Sequence, residues 1–173
     1  PKKTLIELSK LLADGESTDI LYECGEAHIF FKVGGRQLIS RMIDAQFPAF
    51  ERVIPTGNDK KIEFDRDRLT SAIKRVRLLS SERSQAVRMR LSDDMVEVRS
   101  ESAEVGEAAE ELAVTYGDGE VEICFNAQYA LDFLAVVDTD TVVLELKDEM
   151  SQAVMHPAGQ EASYTYVIMP MRV

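Results

Sequence analysis

The residue types that most often carry out chemistry are sparse and widely separated in this sequence. Cys24 and Cys124 lie a hundred residues apart, so they form neither a CxxC metal motif nor a disulfide framework. His28 and His156 have no HxxxE or HxxxH partner, which argues against a metal site, and the serines at 80 and 81 have no histidine nearby. These spacings predict no metal, no cofactor and no catalytic residue. We expect both cysteines to be small buried side chains.

The charge balance of the chain is acidic. Among 173 residues, 20 are Lys or Arg and 31 are Asp or Glu, which gives a net charge of −11. This surplus argues against a conventional nucleic-acid-binding surface, because affinity for phosphate comes from clustered cations. No apolar run reaches the roughly 18 residues of a membrane-spanning helix, and no signal peptide follows Pro1. We therefore expect a soluble cytoplasmic protein without a membrane partner.

Two predicted helices are nevertheless locally basic. Leucine spacing predicts a first helix that Gly15 ends, and no start methionine precedes it, so we expect a piece of a longer chain. Its charged residues are Lys2, Lys3 and Lys10 against Glu7. The second helix, at 66–77, carries Arg66, Arg68, Lys74, Arg75 and Arg77 against Asp67. These cations could contact phosphates without reading sequence, or form an ordinary solvated face, which composition alone favours.

The alternation of apolar and polar residues predicts strands at 20–24, 27–33 and 36–42. Glycine-containing turns separate them, as is typical of antiparallel hairpins. A stretch rich in Pro and turn residues then runs from Phe47 to Asp59, and such a stretch favours a linker. We place the domain boundary there, which divides the chain into residues 1–58 and 59–173.

Residues 59–173 contain an internal repeat. A short strand at 62–64, the helix cap Asp65 and a buried helical stripe are followed 61 residues later by a strand at 123–125, the cap Asn126 and a second stripe. The two stripes consist of Leu69, Ala72, Ile73 and Val76, and of Ala130, Phe133, Leu134 and Val137. Three predicted strands follow each helix, at 87–91, 95–100 and 110–116, and at 142–146, 152–156 and 164–169. Repeated strand–helix–three-strand units predict an α+β fold.

The end of the sequence is apolar. Val167 to Val173 contain two methionines that flank Pro170. Methionine surfaces adapt to varied peptides, so this segment could be a peptide-binding surface. For Val167 and Ile168 the pattern favours a last core strand. For Met169 to Val173 a packed terminus and a peptide-binding surface are equally favoured, because Pro170 would interrupt the ladder.

Four segments of the sequence resemble the bacterial sliding clamp family, the beta subunit of DNA polymerase III. They are Phe47-Pro48-x-Phe50-x-Arg52-Val53-x-Pro55, Leu79-Ser80-Ser81-Glu82-Arg83, Phe125-Asn126-x-x-Tyr129-x-Leu131-Asp132 and Met169-Pro170-Met171-Arg172. The resemblance implies the DNA-clamp fold, with repeated βαβββ units, helices on one face and antiparallel sheets on the other. Residues 1–58 would be the truncated second half of the middle clamp domain, and residues 59–173 a complete C-terminal domain.

The resemblance also implies three surfaces. The family's pocket for clamp-binding peptides would comprise Pro48, Arg52, Val53, Asn126, Tyr129, Val167, Ile168, Met169, Pro170, Met171 and Arg172. The DNA-facing surface would comprise Lys2, Lys3, Arg66, Arg68, Lys74, Arg75 and Arg77. The dimer interface would comprise Leu78, Leu79, Glu107 and Glu110.

The function that this resemblance implies is that of a non-enzymatic processivity factor. It would encircle duplex DNA as a homodimeric ring and bind motifs of the DNA polymerase III alpha subunit, the clamp loader delta subunit, other polymerases and repair proteins. The alternative is a clamp-fold peptide-binding adaptor that does not encircle DNA. An enzyme is the last choice, because no cluster of ionisable groups suggests one.

Overall fold

A computed structural model describes residues 1–14, 19–81, 84–104, 106–159 and 164–172. The chain forms two compact units, Pro1–Pro48 and Ala49–Val173. Among the described residues, no helix combines the length and the apolar character needed to cross a membrane. Gly15, predicted to end the first helix, lies outside the described residues, as do Glu82 and Arg83 of the second family segment and the last residue of the apolar terminus.

The first unit contains one helix and one antiparallel sheet. Its elements are α1 (Lys2–Ala13), β1 (Ile20–Cys24), β2 (His28–Val33) and β3 (Arg36–Arg41), and the strands pair in the order β1-β2-β3. Gly34 has φ +57° in the β2–β3 turn, a conformation that favours glycine. The expectation that Cys24 is buried is wrong, because it lies on an edge strand whose residues are all exposed.

The second unit contains the repeat. Its first copy is β4 (Lys60–Asp65), α2 (Arg66–Val76), β5 (Ala86–Ser92), β6 (Met95–Ser102) and β7 (Gly106–Ala113). Its second copy is β8 (Val121–Asn126), α3 (Ala127–Leu134), β9 (Thr141–Leu146), β10 (Ala153–Pro157) and β11 (Tyr166–Ile168). Short 3-10 turns occur at Phe50–Arg52 and Arg77–Leu79.

The two copies exchange their first strands. The sheets have the orders β11-β10-β9-β4 and β7-β6-β5-β8, so β4 of the first copy pairs with β9 and β8 of the second copy pairs with β5. All these pairings are antiparallel. The helices α2 and α3 pack against each other. Neither copy can therefore complete its sheet without the other.

Both helices begin at the predicted caps. The Asp65 side chain accepts a hydrogen bond from the Arg68 N–H at 2.8 Å, and the Asn126 side chain accepts one from the Gln128 N–H at 2.8 Å. Such bonds satisfy backbone donors that have no partner within the helix. The predicted α2 stripe is confirmed, since its four residues are the buried residues of that helix.

Several sequence-based boundaries are wrong; the strand predicted at 164–169, for example, is β11, which spans only Tyr166–Ile168. Val137 is buried but lies beyond α3, where the Val136 N–H bonds to the Phe133 carbonyl at 3.1 Å in the tighter i→i−3 pattern. The strand predicted at 110–116 is β7, which spans Gly106–Ala113. The ladder ends at Ala113 because its partner Met95 is the first residue of β6. The Val114 N–H then bonds to the Asp94 carbonyl in the β5–β6 turn, at 3.0 Å.

The core of the second unit lies between the helices and the two sheets. Phe133 of α3 is fully buried and contacts two tyrosines, with ring centroids 5.7 Å from Tyr164 and 5.6 Å from Tyr166. Phe125 of β8 and Ile73 of α2 belong to the same apolar cluster. This packing holds both cap regions and the segment after β11 on one rigid scaffold.

Candidate functional site

The C-terminal segment leaves the sheet that contains β11. It then runs beside β8, the edge strand of the other sheet. Ile168 is the last residue of β11 and is buried, which agrees with a core strand up to that point. Beyond it the Met171 N–H donates a 2.7 Å hydrogen bond to the Cys124 carbonyl on β8. Met169 is 55% exposed and Arg172 is exposed. Residues 169–172, the C-terminal tail, thus present apolar and cationic side chains from an anchored backbone.

The start of α3 lies close to this tail, because the tail bonds to Cys124, two residues before the cap Asn126. Asn126 both caps α3 and donates from its side-chain amide to the Ser84 carbonyl at 3.2 Å. One turn into the helix, Tyr129 is 55% exposed. An exposed tyrosine offers an apolar ring and a hydroxyl to a ligand. Asn126 is held in place by its hydrogen bonds, and Tyr129 exposes its ring nearby. Such a combination suits a surface that binds a ligand.

The other predicted pocket residues fall in different places. Arg52 ends the short turn at Phe50–Arg52, and the adjacent Val53 is 43% exposed. Both belong to the second compact unit, as do the residues of α3 and the tail. Pro48 is the last residue of the first unit.

A small cavity of about 240 Å³ lies on the other side of the tail and was not predicted from the sequence. Its lining includes the Arg88–Glu122 ion pair, at 3.0 Å, and burial raises the pKa of the Cys124 thiol. The lining residues are Arg88, Glu122, Cys124, Glu149, Met150, Met171 and Arg172. Strand alternation places Cys124 on the opposite face of β8 from the core residues Ile123 and Phe125, but it cannot show that the tail lies against that face.

The basic side chains of α2 are not equivalent. Arg66 donates to the Val137 carbonyl at 2.8 Å, and Arg77 donates to the Gln128 side chain at 2.8 Å. Arg75 forms an ion pair with Glu110. Arg68 and Lys74 are exposed, and within the described part of the chain neither side chain forms an ion pair. On α1, the predicted DNA-facing residues are exposed: Lys2 and Lys3.

The ion pair of Arg75 joins two of the predicted surfaces. Both Glu110 oxygens accept hydrogen bonds from Arg75, and this contact lowers the pKa of the Glu110 carboxyl and raises the pKa of the Arg75 guanidinium. The pair lies at a cleft of about 480 Å³ between α2 and β7, which Arg68 and Ser71 also line. Arg75 is thus partly neutralised on the basic helix.

The predicted interface residues lie at one edge of the second unit. Leu78 is 74% exposed in the turn after α2, and Leu79 beside it is half-buried. Glu107 and Glu110 belong to β7, the edge strand of its sheet. An edge strand has unpaired backbone groups that can pair with another chain.

A domain built from two βαβββ copies, with paired helices against two antiparallel sheets, belongs to the DNA-clamp class of folds. The family model for the C-terminal domain of the DNA polymerase III beta subunit matches residues 51–172, and the family model for its central domain matches residues 1–49. The chain belongs to the DNA polymerase III beta subunit family.

The relatives in sequence support this assignment. The chain is 39% identical over 175 residues to the beta sliding clamp of Pseudomonas aeruginosa, which covers all of this chain and 47% of that protein. It is 35% identical over 173 residues to the beta sliding clamp of Escherichia coli K12, again covering all of this chain and 47% of the relative. The chain thus spans about half the length of the relatives it matches.

The solved structures give the same result. The sliding clamp of Pseudomonas aeruginosa crystallised with a ligand has a TM-score of 0.84 at 36% identity, over all of this chain and 47% of that one. The sliding clamp of Bartonella birtlesii bound to griselimycin has a TM-score of 0.86 at 34% identity, over all of this chain and 46% of that one.

Proposed function

We propose that this chain is part of a DNA sliding clamp, a non-catalytic processivity factor of the cytoplasm that encircles duplex DNA and tethers the replicative polymerase. The observation that carries the proposal is the match of the whole chain, in sequence and in fold, to beta sliding clamps. Residues 1–58 would then be the second half of a middle clamp domain and residues 59–173 the C-terminal domain. The stretch between Pro48 and β4 would link them.

Encirclement explains how an acidic protein can hold DNA. A ring does not need a high-affinity surface, so only the helices that line it must be basic. In this proposal Arg68, Lys74, Lys2 and Lys3 make most of the phosphate contacts, because they are exposed. Arg66, Arg75 and Arg77 contribute less, because their guanidinium groups already bind protein acceptors.

The docking site for partner peptides is proposed at the C-terminal tail and the start of α3. Met169 and Tyr129 would bind apolar side chains of the peptide, since both are more than half exposed on anchored backbone. Arg172 would bind its polar groups. The remaining members of this site are Pro48, Arg52, Val53, Asn126, Val167, Ile168, Pro170 and Met171. The proposed ligands are motifs of the polymerase alpha subunit, the loader delta subunit and other polymerases and repair proteins.

Ring closure is proposed at the edge strand β7 of the second unit. Its backbone would pair with a strand of the neighbouring protomer in a homodimer. Leu78 and Leu79 would add apolar contacts, and Glu107 and Glu110 would face cations of the partner.

The docking proposal is tested by titrating this chain with a fluorescent peptide that contains Gln-Leu-Phe. Saturable anisotropy change is expected, and Met171→Ala should weaken it, because the substitution removes an apolar side chain of the proposed site while keeping the backbone bond of the tail. Met95→Ala on β6 is the control, since Met95 is 39% exposed but lies elsewhere. Equal binding by the parent chain, Met171→Ala and Met95→Ala, or no binding by any of them, would count against docking at this tail.

The adaptor that never encircles DNA is the second candidate. It is favoured by the engagement of three of the five α2 cations with protein groups. In the intact protein, peptide binding without salt-dependent retention on circular duplex DNA would favour the adaptor. Peptide binding together with retention on circular DNA would favour the clamp.

A further inference from the structure

The edge strands β4 and β8 occupy equivalent positions in the two copies. The Arg66 N–H bonds to the Asp140 carbonyl at 2.9 Å, and 61 residues later the Ala127 N–H bonds to the Gln85 carbonyl at 2.9 Å. In an antiparallel pair, hydrogen-bonded and non-hydrogen-bonded positions alternate. Because Arg66 is at a hydrogen-bonded position, the even-numbered residues of β4 bond to β9. The odd-numbered residues of β4 therefore direct their backbone groups away from β9. Glu63 is the counterpart of Cys124 in this register.

The two edges differ in what covers them. On β8, the Cys124 carbonyl accepts a hydrogen bond from the tail, through the Met171 N–H. In the first copy, the chain after β7 turns instead toward the β5–β6 turn. There the Val114 N–H bonds to the Asp94 carbonyl at 3.0 Å, and the Tyr116 N–H bonds to the Asp94 side chain at 3.2 Å. Among the described strands, β4 pairs only with β9.

An open cleft of about 800 Å³ lies beside Glu63, the β4 counterpart of Cys124. The cleft is lined by side chains of β4, β9 and β10 and by residues 113–115. The lining residues are Lys61, Glu63, Phe64, Asp65, Ala113, Val114, Thr115, Thr141, Val143, Glu145 and His156. The cleft thus combines an open strand edge with apolar and charged side chains.

The charges of this cleft favour a cationic ligand. Lys61 is paired with Glu145, at 2.5 Å, and the Glu145 carboxylate also lies 3.3 Å from the His156 ring nitrogen Nε2. Glu63 is exposed, and within the described ranges its carboxylate has no ion pair. Asp65 is exposed beside it. The carboxylate of Glu63 is therefore available to a Lys or Arg of a ligand.

We propose that the β4 edge binds an extended segment of a partner protein, which pairs with β4 as an added strand and places a Lys or Arg against Glu63. Strand addition gains affinity from backbone hydrogen bonds and specificity from alternate side chains. The register is set by the repeat: an N–H of the segment donates to the Glu63 carbonyl, as the Met171 N–H does to Cys124. This site shares no residue with the docking site at the tail.

The test is a titration of the ¹⁵N-labelled chain with the peptide acetyl-Lys-Val-Lys-Val-Lys-amide. Saturable shifts are expected at β4 and at 113–115. Two further peptides are N-methylated at alternate residues, one at both valines and one at the three lysines. In an added strand, only alternate N–H groups face β4. One of the two methylated peptides should therefore lose affinity, by about five-fold for each blocked hydrogen bond, and the other should bind like the unmethylated peptide. Equal binding by both would exclude strand addition.

Glu63→Lys tests the charge. The substitution should weaken binding of the unmethylated peptide by about five-fold or more, and it should remove much of the salt dependence of that binding. Glu26→Lys, on an exposed turn of the first unit, is the control with the same change in net charge. Unchanged affinity in Glu63→Lys, or shifts confined to the tail and α3, would overturn the proposal. The Gln-Leu-Phe peptide should bind Glu63→Lys as tightly as it binds the parent chain. Failure of the proposal for the β4 edge is therefore distinguishable from failure of docking at the tail.

Discussion

Arg75 of α2 and Glu110 of β7 form a two-point ion pair, in which Arg75 Nη2 lies 2.5 Å from Glu110 Oε2 and Nε binds the other oxygen. The residues are 35 positions apart in sequence. The pair joins the helix proposed to face DNA to the edge strand proposed to close the ring. The charge that Arg75 offers to phosphate is therefore set by a residue of the other surface.

Replacing Glu110 by Gln should strengthen binding of the chain to duplex DNA. The substitution removes the carboxylate that holds Arg75, and it leaves the 61%-exposed guanidinium available to a phosphate. The salt dependence of binding should steepen by about 0.9 in the log–log slope for one added phosphate contact. Fluorescence anisotropy of a labelled duplex over a salt series measures this. Weaker binding in Glu110→Gln would show that the ion pair positions α2 for DNA.

Replacing both Arg68 and Lys74 by Ala should weaken binding to duplex DNA equally for all sequences. Removing one cation from its phosphate should reduce the salt slope by about 0.9, hence about 1.8 for the pair. Arg90→Ala is the control, because Arg90 lies on β5 and pairs with Glu120 at 3.1 Å. An identical decrease in the control would indicate a general effect of net charge and would contradict a role for α2.

The sequence predicts much of this fold because the α2 stripe and the two caps depend on local spacing and side-chain chemistry. Leu69 and Val76 recur with the helical period, and Asp65 is of the type that caps a helix. The strand β7 is harder to place, because its Glu-Ala-Ala-Glu-Glu stretch has low strand propensity. It is a strand because Gly106 to Ala113 pair with β6, and tertiary pairing overrides propensity.

The candidate sites likewise combine features that local sequence predicts with features that depend on tertiary contacts. The exposed side chains of Met169 and Tyr129 follow from apolar residues at a terminus and a helix start. The bond between Met171 and Cys124 and the pair of Arg75 and Glu110 are long-range contacts, and they depend on which strands become neighbours. The exchange of β8 into the other sheet decides the first contact, and the packing of α2 against β7 within the first copy decides the second. No local sequence pattern records either one.

The pH dependence of stability should include a contribution from Glu145. Burial raises the pKa of this carboxyl, but hydrogen bonds from Lys61 and His156 outweigh burial, so the pKa lies below the ordinary value of 4.5. A carboxyl with a lowered pKa in the folded state stabilises the fold above its unfolded pKa, and that stabilisation disappears as pH falls through the folded pKa.

Urea unfolding between about pH 3 and pH 7 measures this contribution. At the upper end Glu145→Gln should be less stable than the parent chain, and the difference should shrink as the pH is lowered below 4.5, the ordinary value for this carboxyl. Glu26→Gln, on an exposed turn, should follow the parent throughout. A difference between Glu145→Gln and the parent that does not change with pH would contradict the assignment.

The reactivity of Cys124 should report whether the tail is seated on β8. Cys124 is 6% exposed, and burial raises the pKa of its thiol, so little reactive thiolate is present. Cys24 is exposed and should react first with a thiol reagent. In a Cys24→Ser background, labelling of Cys124 should therefore be slow and should depend on opening of the tail.

Met171→Pro in that background should accelerate labelling of Cys124. Proline has no N–H, so the 2.7 Å hydrogen bond to the Cys124 carbonyl is lost, and the net contribution of such a bond, about 1 kcal/mol, corresponds to about five-fold faster opening. Met150→Ala is the control, since Met150 lines the same small cavity without bonding to Cys124 through its backbone. Equal acceleration by both variants would mean that cavity packing protects the thiol. Acceleration by Met171→Pro alone would mean that the backbone bond of the tail protects it, and this is the outcome we expect.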